Sequence, residues 1–447
     1  MSKSDRALTE GPMSSRLFQM AWPMTVGIAA TMSVPLMDSY FLGQLGTEPL
    51  AAISFTFPVV LTLMSLAIGL GAGTSSVVSR AVGDGDEERA KCIATDASIL
   101  AFVMITALSV IGFLTIRPVF SLVGAKGEIL DLVEAYMRIW YLTLPALAMM
   151  MIASNLLRSH GDSRTPGMVM VGIAGVNIVL DPLFIFGIGP FPEMGIEGAA
   201  WASFVARILA ILVAGWAVIY RDKLIALDVP SLSRAFKSAK NIGRIAVPAA
   251  IGNAINPLGI TIATALLAGY GADVVAGFGV ATRIESFVSI PMLALSASIG
   301  PIAGQNFGAR KYDRVLAAHR QSYVFCVGWS LVVAVILFFA ADYLASLFSE
   351  EETVTKTIAL YLKIVPATLA GYGVAVVAAG GLNAIGKPLY GLVMYLVRTS
   401  ILYVPLIYIA TTMFELWGVF SGIAVANVLS GIVIAAASLW LLRSVAQ

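Results

Sequence analysis

The chain has 447 residues, 59% of them hydrophobic and 12% charged, with a mean hydropathy of +0.89 and a formal net charge of +2. An ordinary soluble domain is about 25% charged, so this composition excludes a soluble globular protein, and a net charge this small gives no basis for nucleic-acid binding. Two cysteines, Cys92 and Cys326, cannot build a disulfide framework and are expected as free thiols.

Residues 1–15 form a polar tail without a signal-peptide pattern. Apolar runs of spanning length then predict twelve membrane helices near 16–42, 50–79, 92–115, 128–158, 166–188, 197–220, 241–269, 275–304, 315–341, 355–384, 388–411 and 416–442. With the amino terminus inside, the cytoplasmic segments hold twenty basic residues, Arg80 and Arg158 among them, and the outer loops hold three, Arg117, Lys126 and Lys356. The positive-inside rule therefore places both termini in the cytoplasm of a multi-pass protein of the cytoplasmic (inner) membrane.

The longest polar stretch, 221–240, divides the chain into a first lobe at 16–220 and a second at 241–447. The halves share landmarks at one offset: Pro23 with Pro248, Gly83 with Gly308, Arg89 with Arg314, and Gly161 with Gly386. Two six-helix repeats in the same orientation imply a pseudo-twofold axis along the membrane normal, with the transport route between the lobes. The expected fold is thus an all-α polytopic membrane protein of two six-helix lobes.

Three acids fall well inside predicted helices: Asp38, Asp181 and Glu285. A charge at membrane depth is costly unless it is paired, wetted or protonated, which makes each a functional-site hypothesis. Asp38 follows Pro35, and Asp181 is preceded by Asn177 one turn earlier and followed by Pro182. The helices carrying both acids run outward, so the two lie at a common depth, about 8 to 11 Å from the outer end at the helical rise. Facing one cavity they would repel, so that one of them takes up a proton from outside. Pro35 and Pro182, which break the local hydrogen-bond ladder, would let the helices bend in response. The structural alternative pairs one acid with Arg207, which with Arg138 is the other ionised group placed inside a first-lobe span. Glu285, with Arg283 nearby and Lys363 and Arg398 as candidate partners, reads as a structural ion pair.

Other signals point away from chemistry. His160 and His319 are placed in loops with no second histidine at metal-ligand spacing. Gly69-Leu70-Gly71-Ala72-Gly73 lies in an apolar helix and lacks the Gly-Lys-Ser/Thr of a nucleotide loop, so close helix packing explains it and ATP-driven transport has no support. The many methionines are packing residues, a few of them an adaptable wall for diverse ligands.

Together, Asp38 after Pro35, the loop Gly83 to Arg89, Arg158 to Pro166, Asn177 to Pro182, and Gly304-Gln305-Asn306-Phe307-Gly308 resemble the multidrug and toxic compound extrusion (MATE) transporters over essentially the whole chain. The pair Asp38 and Asp181 with Asn177 resembles the DinF-like branch. That resemblance implies coupling through the first lobe, with external protons, or sodium held at Asp38, Asp181 and Asn177, exchanged for exported organic cations and other amphipathic compounds. It also implies a second rank of polar site residues, Tyr136, Asn155 and Ser203. Asn256 stands where relatives that couple through the second lobe carry an acid. Small-molecule drugs or toxins and the lipid bilayer are the expected partners, with no obligatory protein partner and no cofactor beyond the coupling ion. The competing function is a lipid-linked precursor flippase, which would want a cationic cavity for pyrophosphate. A membrane enzyme would need a nucleophile, base or metal constellation, and the loops offer none.

Overall fold

The computed structural model describes residues 7–226 and 231–446. Lys3 and Arg6 of the tail and residues 227–230 of the polar stretch lie outside the described residues. The first lobe consists of α1 (Met13–Leu45), α2 (Thr47–Gly83), α3 (Glu87–Leu114), α4 (Gly127–Ser159), α5 (Arg164–Ile185) and α6 (Ile196–Trp216), the last continuing as a wide π turn over Ala217–Arg221. The second consists of α7 (Leu232–Leu267), α8 (Ala272–Val288 and Ile290–Gly308), α9 (Tyr312–Phe348), α10 (Glu352–Ile364 and Ala370–Ala384), α11 (Pro388–Leu396 and Val404–Met413 around a π turn) and α12 (Leu416–Ala446). Ten of these helices are long and apolar enough to cross a membrane singly, and the two bent pairs bring the spans to twelve.

The bends depart from the straight runs that hydropathy predicts. The two parts of α8 meet at 45° and those of α10 at 49°. Each break carries a proline, Pro291 or Pro366, which cannot donate to the ladder. A two-turn helix, Ile116–Val123, also occupies what reads as a plain outer loop, held by buried Ile116 and Phe120. The second half of the 221–240 stretch is helical, because Ser231 caps α7 by accepting from the Arg234 amide at 3.3 Å. That first turn is tied to the first lobe: Arg234 and Ser238 donate to the buried Asp96 of α3 at 3.1 and 2.6 Å. Asp96 is an embedded acid that hydropathy places at a helix end.

The pseudo-twofold is visible as reciprocal contacts. A side chain on Gly83 would collide with the Gln305 carbonyl, and one on Gly308 with the Arg80 carbonyl. Gln305 is the repeat mate of Arg80, as Gly308 is of Gly83, so α2 and the end of α8 cross on the axis at the turns 84–86 and 309–311. Only residues without a side chain permit backbones this close. We call this the basal end. Here the lobes also exchange hydrogen bonds, Ser76 Oγ donating to the Asn383 carbonyl at 2.6 Å and Gln305 Nε2 to the Ser159 carbonyl at 2.7 Å. The segment before α1 crosses to the second lobe, where the Leu8 amide donates to Gln305 Oε1 at 3.2 Å and Asn306 Nδ2 donates to the Leu8 carbonyl at 3.1 Å.

The turn before α5 is built around Asp162, which accepts from the Thr165 amide at 3.0 Å, the Thr165 hydroxyl at 2.7 Å and Arg221 Nη2 at 2.6 Å. Replacing it by alanine removes a cap and a buried ion-pair partner. Asp162→Ala is expected to lose at least about 0.5–2 kcal/mol, the range of a lost cap, read as a lower thermal midpoint in detergent. An unchanged midpoint contradicts that role.

His319 is not in a loop. It lies fully buried on α9, its Nδ1 bonded to the Val315 carbonyl at 2.8 Å and its ring against Gly381. The helix starts at Tyr312, and the missing side chain at Gly381 opens the space the imidazole fills.

Candidate functional site

Asp38 on α1 and Asp181 on α5 lie close enough for their carboxylates to interact directly. Packing of α1 on α5 is close because Gly27 and Gly167 lack side chains where the helices cross; a Cβ on Gly167 would lie 2.5 Å from the Pro23 carbonyl. Asp181 is fully buried and Asp38 partly so. Oδ1 of each aspartate is shielded from solvent and without a hydrogen-bond partner. Pro182 follows Asp181 within α5, leaving the carbonyl of Ile178 without its ladder amide. Pro35 lies inside α1, and its carbonyl accepts from the Ser39 hydroxyl at 2.8 Å.

Asn177 bridges the pair to α6. In the orientation that satisfies every partner, its amide nitrogen donates to Asp181 Oδ2 at 3.1 Å. Its oxygen accepts from the Ser203 amide at 3.2 Å and hydroxyl at 3.1 Å. Tyr136 of α4 is buried and near enough for both carboxylates to act on it electrostatically. Arg207 reaches neither acid: its Nη1 donates to Thr143 Oγ1 at 2.5 Å and its guanidinium lies 5.9 Å from the Trp140 ring centre, so its charge is felt at Asp38 only through space. Arg138, expected in the lobe interior, is exposed and pairs with Glu134 at 2.5 Å.

The structure thus brings Asp38, Asp181, Asn177, Tyr136 and Ser203 together and leaves two expected residues elsewhere. Asn256 accepts from Arg398 Nη1 at 2.8 Å in the second lobe, where Arg398 also donates to Asn427 at 3.1 Å and lies over the rings of Tyr372 and Tyr403. Glu285 there accepts from the Tyr361 hydroxyl, and Lys363 is taken by Asp342 at 2.8 Å. Asn155 lines a separate cavity of about 400 Å³ between the lobes. That cavity lies on the pseudo-twofold: its walls contain the repeat mates Met24 and Ala249, Ile28 and Asn253, Ala72 and Ala297, Met170 and Tyr395, and Arg158 and Asn383. Arg158, which hydropathy counts among the loop cations, is its one charged lining residue. The signal that could have found it is its spacing, one turn after Asn155 and one repeat before Asn383. Among the described residues no group of three or more His, Cys, Asp or Glu is assembled for a metal.

The MatE family model matches residues 23–183 and again 248–409, so the two matches begin one repeat apart, at Pro23 and Pro248. The chain belongs to the MATE family of transporters. A Shewanella oneidensis relative described as an FAD transporter is 37% identical over 96% of this chain and 95% of its own length. Multidrug export protein MepA of Staphylococcus aureus is 25% identical over 94% of this chain and 92% of its own. Among solved structures, a mutant of the Vibrio cholerae MATE transporter VcmN superposes with a TM-score of 0.92 at 30% identity, covering 97% of each chain. As a MATE protein the chain is an efflux transporter of two lobes and not an enzyme.

Proposed function

We propose that this MATE transporter is an antiporter that exports amphipathic organic compounds in exchange for an inward-moving proton, with Asp38 and Asp181 as the ion-responsive pair. The observation that carries the reading is the contact between two carboxylates in the lobe interior, each with a buried oxygen that no donor satisfies. Such a pair holds a proton or a small cation well and an empty site badly. The arrangement also supports the DinF-like assignment, since the repeat mates of Asp38 and Asp181 are Ala263 and Leu406.

The basic residues of the loops favour a cytoplasmic basal end. Closure there, with a cavity above it, corresponds to the state open to the outside in an alternating cycle. Relatives described as multidrug exporters and as an FAD transporter support a broad amphipathic cargo that includes a flavin dinucleotide. In proteoliposomes, a proton gradient and a sodium gradient imposed separately are expected to drive FAD and a cationic dye differently, the proton gradient giving uphill movement. Equal transport with and without either gradient would reject antiport, and movement under sodium alone would reject the proton.

A further inference from the structure

Among the described residues Arg158 forms no ion pair. It ends the last buried turn of α4, its Nη2 donates to Asn155 Oδ1 at 2.8 Å, and its Nε is buried without a hydrogen-bond partner. No acid lines the cavity it faces. Arg158 is half-buried, and a guanidinium with reduced access to water and no carboxylate beside it is stabilised by a bound anion. A site that keeps one is waiting for an anion.

Geometry narrows the anion. Asn383, the repeat mate of Arg158, lines the same cavity, with its carbonyl held by Ser76. Ser76, which holds that carbonyl, itself lines the cavity and accepts at its own carbonyl from Arg80 Nε at 3.0 Å. A phosphate monoester carries roughly −1.5 to −2 charges at pH 7, and the planar fork of Arg158 matches phosphate oxygens two at a time. Above the floor the walls turn apolar and polarisable, with Met150, Met151, Met170, Leu293, Leu392 and Tyr395. Methionine side chains adapt to flat ring systems, and a tyrosine face stacks on them.

We propose that Arg158, with Asn383 opposite, anchors the phosphate of an amphipathic organic phosphate whose ring system lies against the methionines and Tyr395. The inference rests on the reading that this cavity carries the exported cargo. The organic part could be an aromatic nucleotide or a lipid-type chain, and the phosphate contact is common to both.

The test is direct binding to the purified full chain in detergent, without any gradient, using riboflavin, its 5′-phosphate FMN, and geranyl pyrophosphate. Wild type is expected to bind FMN at least about tenfold tighter than riboflavin, the low end for a hydrogen-bonded charge pair. In Arg158→Gln that gap collapses while riboflavin affinity stays within about twofold, and Arg158→Lys keeps part of it. Should Arg158→Gln fail to bind riboflavin at all, Asn383→Asp serves instead, weakening FMN alone by placing a negative charge against the phosphate. Equal affinity for FMN and riboflavin in wild type, or a gap that survives Arg158→Gln or Asn383→Asp, overturns the proposal. Competition by geranyl pyrophosphate assigns the anchor to lipid-type phosphates as well, and its absence restricts it to nucleotides. Because no gradient enters the measurement, a failure of proton coupling leaves these outcomes readable.

Discussion

Asp38→Asn and Asp181→Asn are each expected to reduce gradient-driven export to the level of empty liposomes while cargo binding and the thermal midpoint survive. Two like charges in contact repel by roughly 4 kcal/mol at an effective dielectric of about 20, and a proton or cation shared between them removes that repulsion. Driving a two-state protein from 1:99 to 99:1 takes about 5.5 kcal/mol of differential binding, so ion uptake at this pair is of the size an alternating cycle needs. An amide in place of either acid mimics the occupied site permanently and leaves nothing for the ion to switch. Asn177→Ala, which removes the bridge from Asp181 to Ser203, weakens export less, because both carboxylates remain. Export at the wild-type rate in either aspartate variant would end the coupling role of the pair.

The second large effect is at the basal seam. Gly83→Val drives a branched side chain into the Gln305 carbonyl, and Gly308→Val does the same at Arg80. Overpacking of this kind costs about 1–3 kcal/mol when neighbours can shift, and the neighbours here are backbone. The two states of a transporter differ by only a few kcal/mol, so either variant is expected to prise the basal end open and cut export at least about tenfold. A cysteine placed at Ser76 should then react faster with an aqueous thiol reagent than in the parent. Gly243→Val is the control, since nothing lies within 4 Å of a Cβ there. The double variant should be little worse than either single one, because both act on one seam. A fully additive loss, or unchanged cysteine reactivity, would show that the glycines serve only folding.

Twelve spans were legible because the hydropathy of each segment alone exceeds what a soluble helix carries. The acids were legible for the converse reason: Asp38 and Asp181 interrupt runs that are otherwise apolar. What hydropathy lacks is the rotational phase of each helix against its neighbours. Arg158 sits at a helix end and reads as a loop cation, yet its side chain turns toward the axis. His319 reads as a surface residue only until Gly381, on another helix, supplies its pocket. The bends of α8 and α10 fall at prolines that the sequence displays, but a proline in a span is compatible with either a kink or a straight helix held by its neighbours, and packing decides.

The two halves of this protein share a frame, but the aspartate pair belongs to the first half. The contacts at Gly83 and Gly308 are mirrored across the axis, whereas Asp38 and Asp181 stand opposite an alanine and a leucine. On the proposed coupling at this pair, stoichiometry does not follow the architecture: ion binding falls to the first half alone, whereas both halves wall the cavity between them.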